Sequence, residues 1–108
     1  MSFRNRVNLI GRTGSEVELM SFENGTKKAS VSLATNDFYM NAQGEKVEQT
    51  NWHQLIAFGK TAEVLKNHVF KGKEIAVEGK LVYRNYDTPS GHKKQVTEVR
   101  LTELILLS

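Results

Sequence analysis

The chain has no cysteine, a single proline and only 8% aromatic residues in its 108 positions. Without cysteine, disulfide frameworks, thiolate zinc sites and cysteine nucleophiles are all excluded, which fits a reducing compartment. No stretch approaches the roughly 18 consecutive apolar residues that a membrane-spanning helix needs. The opening MSFRNRVNLIG has too little apolar length for a signal peptide. An intracellular protein is expected. There is no Pro/Gly/Ser-rich linker, internal repeat or low-complexity tract, and Pro89 sits in an evident turn. The length suits one modest core and leaves no room for a separate catalytic domain, so residues 1–108 are expected to form one domain.

Charge of either sign is also scarce in excess. Fifteen Lys and Arg face twelve Asp and Glu, a formal charge of +3. The first half is neutral, and the surplus lies entirely in residues 55–108. A mild basic bias is compatible with a phosphate-bearing partner, and equally with a solvated basic surface.

What the chain has in quantity is strand pattern. NRVNLIG alternates Val7 and Leu9 against Arg6, Asn8 and Ile10, then breaks at Gly11 and Gly14. EVELMSF runs to the turn Asn24-Gly25, and TKKASVSLATNDFY follows with Ala29, Val31 and Leu33 on one face, so a hairpin is predicted. After the polar loop MNAQGEK, VEQTNWHQLIAF places Trp52, Gln54, Ile56 and Phe58 on one side and His53, Leu55 and Ala57 on the other. Residues 61–71 read as a helix with Ala62, Leu65 and Val69 on one stripe and Gly72 as its left-handed stop. KEIAVEGKLVYRNY then separates Ile75, Val77, Leu81 and Tyr83 from Lys80, Val82, Arg84 and Tyr86. Past the turn DTPSGHKK, QVTEVRLTELILL is a last long strand. Three strands, a short helix and two further strands are the order of the five-stranded oligonucleotide/oligosaccharide-binding barrel, the OB-fold, an all-β Greek key with its helix between the third and fourth strands. Long strands suit such a barrel.

Several chemistries can be weighed against this frame. Gly59-Lys60-Thr61 looks like the end of a phosphate-binding loop, but the required first glycine is Gln54 and no glycine arc surrounds a triphosphate. The GRTG at 11–14 matches the G-x-x-G of a KH domain, yet strands flank it where helices are needed. His53, His68 and His92 fall in a strand, a helix and a turn, without a spacing that puts two metal ligands on one face. No catalytic triad order or carboxylate pair stands out, and neither an enzyme, a metal nor a cofactor is expected. An aromatic and basic set remains. Trp52 and Phe58 share a strand face, Tyr86 shares one with Arg84 and Lys80, and Tyr39 closes the preceding strand at a loop mouth. Aromatic faces stack on bases irrespective of sequence while cations track phosphates. The alternative is that Trp52 and Phe58 are core; Gln54 and Lys80 weigh against it, because a sealed core would leave them unpaired.

Several ordered blocks carry a resemblance. VNLIGRTG, ASVSLAT, QTNWHQLIAFGKTAEVL, KGKEIAVEGKL, RNY and TEV make the chain similar to bacterial single-stranded DNA-binding proteins over nearly its whole length. The resemblance implies a homo-oligomer, usually a tetramer, that wraps single-stranded DNA without catalysis in replication, recombination or repair, in the cytoplasm and on the nucleoid. It implies stacking at Tyr39, Trp52, Phe58 and Tyr86 and contacts from Gln54, Lys60, Lys71 and Arg84. It makes His53 a subunit-contact position. The family more often has tryptophan where this chain has Tyr39 and Tyr86, which reduces stacking area. Its members usually continue into a flexible linker and an acidic tip that recruits replication and repair proteins, whereas this sequence stops at LTELILLS. DNA coating without that recruitment is therefore expected. The alternative is a primosome-like OB-fold adaptor acting through protein partners, with an RNA-binding, cold-shock-like role as a third reading.

Overall fold

The structure, a computed structural model, describes residues 4–107; residues 1–3 of the opening stretch and residue 108 of the closing one lie outside the described residues. Among the described residues the elements are β1 (Val7–Thr13), β2 (Glu18–Ser21), β3 (Lys27–Met40), β4 (Lys46–Phe58), α1 (Gly59–His68), β5 (Glu74–Asp87) and β6 (Lys93–Leu106). Two long antiparallel hairpins, β3–β4 and β5–β6, supply most of the wall. A short parallel pairing of β6 with β4, Leu55 opposite Val99 and Ile56 opposite Arg100, joins them. β1 pairs with β5 along most of its length and with β3 at its end, Arg12 opposite Ala34 and Thr13 opposite Leu33, which closes the barrel.

The five-stranded expectation holds, with the first strand interrupted. β1 and β2 are its two parts, the second held by β3 alone. Between them the chain stays on β3: Gly14 N–H donates to the Ser32 carbonyl at 3.0 Å, and Ser32 N–H donates to Ser15 Oγ at 3.3 Å. These bonds satisfy backbone groups that a free bend would leave open.

Strand alternation sends Val31 and Leu33 of β3, Leu55 of β4, Ile75 and Val77 of β5, and Val99 and Leu101 of β6 into one buried cluster. Each fully buried residue of this size contributes roughly 1.5–3 kcal/mol of hydrophobic stabilisation. The helix closes the cluster with Ala62 and Leu65, and Val69 completes the expected stripe. Its bounds differ from the expected 61–71. It begins at Gly59, straight after the extended Phe58, and ends at His68, because Val69 turns extended (φ −112°, ψ 130°) to bury its side chain. Gly72 is therefore a turn residue and not the helix stop. With φ +89° it sits third in the turn Phe70–Lys73, where Lys73 N–H reaches the Phe70 carbonyl at 3.2 Å. Buried Thr13 fastens that turn to β1, its hydroxyl donating to the Phe70 carbonyl at 2.6 Å and accepting from Lys73 N–H at 3.1 Å.

Candidate nucleic-acid interface

The register of β3 on β4 sorts side chains by face, since directly paired residues point the same way. One side carries Leu33, Leu55 and Ala57 into the core. The other carries Trp52 opposite Ala34, Gln54 opposite Ser32, Ile56 opposite Ser30 and Phe58 opposite Lys28. Trp52 and Phe58 are thus together on the outer surface, as the alternation predicts.

Trp52 is 63% exposed. Arg12, Ala34 and Trp52 form one row across β1, β3 and β4. The indole leans along this row toward β1 and rests against Gly14: a methyl group on Gly14 would stand 2.2 Å from the indole Cζ3. The small residues Gly14 and Ala34 make room for the ring. Around it opens a hollow of about 420 Å³ lined by Gly11, Arg12, Ala34, Asn36, Gly72 and Glu74 among others. Arg12 donates to the Gly72 carbonyl at 3.2 Å, and exposed Lys71 lies in the same turn, its N–H bonded to Glu16 at 2.9 Å.

Phe58 is half-buried and flanked by cations. Lys28 is opposite it on β3, and the Arg100 guanidinium stands 4.6 Å from its ring centroid. Between Trp52 and Phe58, Ile56 is only 5% exposed although it faces outward, with Ser30 and Arg100 as its register neighbours. Gln54 opens with Lys28, Ser30, Arg84 and Glu98 onto a groove of about 480 Å³. There Arg84 donates from Nε and Nη2 to the two carboxylate oxygens of Glu98 at 3.3 and 3.4 Å. The Glu98 side chain is 6% exposed, so Arg84 is the partner that allows this carboxylate to be buried. The hydrogen bond and charge of Glu98 raise the Arg84 pKa, and its charge is partly engaged within the protein. The same guanidinium lies 5.6 Å from the centroid of Tyr86, which pairs with Lys94.

Other expected residues fall elsewhere. Lys60 is exposed in the first turn of α1, beside the Lys27–Glu63 ion pair. Tyr39 pairs with Val47 and lies on the opposite face of the hairpin from Trp52. It is the preceding residue, Phe38, that shares the Trp52 face, exposed and with Lys46 Nζ 4.4 Å from its ring centroid. His53 faces inward opposite Leu33, its Nε2 2.9 Å from Thr35 Oγ1. Arg12, Lys28, Phe38 and Arg100 are neighbours of the aromatic face that sequence reasoning missed, while Lys80, expected on one face with Arg84 and Tyr86, stands directly opposite Arg100. Their alternation was readable within each strand, but the strand adjacency that groups them was not. Among the described residues no cluster of three or more His, Cys, Asp or Glu is arranged to hold a metal.

Residues 4–107 match the family model described as the single-strand binding protein family. The chain belongs to that family. It is 35% identical over 108 residues to single-stranded DNA-binding protein 1 of Xylella fastidiosa, covering 99% of this chain and 79% of that protein. A namesake from Chlorobaculum tepidum is 33% identical over 104 residues, covering 95% of this chain and 64% of the relative. Among solved structures, the Plasmodium falciparum SSB in complex with ssDNA superposes with a TM-score of 0.91 at 31% identity, over 100% of this chain and 98% of that one. A deletion mutant of the Thermus aquaticus single-stranded DNA binding protein gives 0.85 at 27% identity, over 96% of this chain and 50% of that one. The matched span takes in every strand of the barrel and its helix.

Proposed function

We propose that the protein binds single-stranded DNA without sequence preference and so coats and protects it during replication, recombination or repair. The observation that carries this reading is the exposed indole of Trp52 on one outer barrel face with Phe58, bordered by cations on β1, β3 and β6. Stacking on such rings contributes roughly 1–3 kcal/mol per base and tolerates any base. In this reading Trp52, Phe58 and Tyr86 stack bases, Gln54 hydrogen-bonds one, and Lys60, Lys71 and Arg84 neutralise phosphates. Tyr39 contributes from the far face of the β3–β4 hairpin, so a strand reaching it passes around the hairpin edge. The names of the Xylella and Plasmodium relatives support the choice of ligand.

Titration with oligo-dT is expected to quench Trp52 fluorescence. Affinity should fall with a log–log salt slope of about −0.7 per neutralised phosphate. A flat titration at low salt overturns the reading.

We further infer a homo-oligomer, with a tetramer as the expected state and His53 at a subunit contact. Self-association is supported by an apolar row on the outer face of β1, β5 and β6, Ile10 (64% exposed), Ala76 and Ile105 (59% exposed), paired in register; the tetramer and the role of inward-facing His53 rest on the family resemblance. Light scattering tests it. A primosome-like adaptor would stay oligomeric yet leave Trp52 unquenched. The reading carries a cytoplasmic, nucleoid-associated location; among the described residues no helix is long and apolar enough to cross a membrane.

A further inference from the structure

Phe58 sits within a line of cations that crosses the strands and does not follow one. On the outer face, Lys28 of β3 is directly opposite Phe58 of β4. Arg100 of β6 lies beside Ile56 and extends its guanidinium over the Phe58 ring. Lys80 of β5 is directly opposite Arg100. The stripe therefore runs Lys28, Phe58, Arg100, Lys80 over four neighbouring strands, a width of about 14 Å at the usual strand spacing. Among the described residues none of the three cations makes an ion pair, in contrast to Arg84. Two acids on the same face are engaged, Glu98 by Arg84 and Glu78 by Arg6 at 2.6 Å, while Glu18 of β2, opposite Ser30, and Glu103, opposite Glu78, make no ion pair among the described residues. Arg100 and Lys80 form a like-charged pair directly across two strands, an arrangement that disfavours the folded sheet unless an anion relieves it. The lean of Arg100 toward Phe58 carries its charge away from Lys80 and over the negative face of the ring.

We propose that Lys28, Arg100 and Lys80 form a phosphate-binding track transverse to the strands. On binding, a base takes the place of the Arg100 guanidinium over Phe58, and Arg100 turns to a phosphate. The ligand class is the phosphodiester backbone of a single-stranded polynucleotide. The proposal rests on the single-strand reading above and adds to it three residues and a direction of travel. Phe58 is then a stacking site that is covered until a strand arrives.

The test compares salt slopes for dT oligomers on the intact protein and on Lys28→Ala, Lys80→Ala, Arg100→Ala, Arg100→Lys and the triple alanine variant. All three side chains lie at the surface, and matching thermal midpoints identify folded variants. Each single alanine is expected to reduce the slope by about 0.7 and the triple by about 2, so a fourfold rise in salt costs each single variant about 2.6-fold less affinity than the parent. Arg100→Lys should keep the parental slope. An unchanged slope in the triple variant, with Trp52→Ala still weakening binding, overturns the track and leaves the single-strand reading intact. Tighter binding by Arg100→Ala at unchanged slope makes Arg100 only a cover and likewise overturns it. A parent protein that does not quench with dT takes both readings down.

Discussion

Trp52 and Phe58 stand six residues apart on one face of one strand, yet their surroundings differ. Trp52 rests on small residues, Gly14 and Ala34, with its indole open to solvent. Phe58 is half-buried, with Arg100 over its ring and Lys28 across from it. A shared face therefore does not give two aromatics the same task. The Trp52 end presents an open indole with Arg12 beside it, whereas the Phe58 end is dominated by charge, and on the proposed reading a base stacking there displaces a guanidinium.

The sharpest way to break this comparison is to remove each ring. Trp52→Ala is expected to weaken dT binding by about 1–3 kcal/mol, roughly 5- to 150-fold. Phe58→Ala should lose less, since part of its stacking gain replaces an existing cation–π contact. Anisotropy titration of a labelled oligonucleotide measures both, and equal losses would erase the distinction. Next in size is Gly14→Ala. The added Cβ would come within 2.7 Å of two indole ring atoms and 3.0 Å of Ser32 Oγ, so the ring must shift. Binding should weaken by less than in Trp52→Ala and the tryptophan emission should change in the free protein, while the response of Phe58→Ala to salt stays as in the parent. Unaltered emission and affinity would show that the indole does not depend on its glycine seat.

The smallest effect concerns the border of the Phe58 end, where Lys27 bonds Glu63 at 2.9 Å. The hydrogen bond and charge of Lys27 hold the Glu63 carboxyl below its ordinary range, with a lesser contribution from Lys60. A carboxylate whose pKa is depressed on folding adds stability that is present above its unfolded pKa of about 4.3 and lost as pH falls through the lower folded value. The group is exposed, so the contribution is small. Urea midpoints should place Lys27→Met slightly below the parent at pH 7, with the gap closing toward pH 3. A gap that persists at pH 3 would assign it to packing of the lysine stem.

Much of this was readable along the chain. The period-2 alternation of TNWHQLIAF placed Trp52 and Phe58 together and Leu55 in the core, and the stripe Ala62, Leu65, Val69 located the buried face of the helix. The ends of that helix were less readable, because a glycine after an apolar stripe fits both a helix stop and a turn. Burial of Val69 and the bonds from Thr13 to the turn decided for the latter. Tyr39 was readable as an exposed aromatic near a loop, but its face depended on the register of β3 against β4. Arg84 was readable as a cation beside Tyr86, although its ion pair with Glu98 joins residues fourteen positions apart on paired strands.

By itself the sequence determined which residues of each strand share a side, where the hairpin turns fall and that an aromatic and basic face exists, since all of these follow from local backbone geometry. Which strands become neighbours was decided only in the tertiary structure. β6 lies parallel to β4 because barrel closure and burial of Leu55 against Val99 require it, and no local period encodes a contact between Phe58 and Arg100, forty-two residues away. That adjacency turned a row of separate lysines and arginines into a stripe and put a guanidinium over the Phe58 ring.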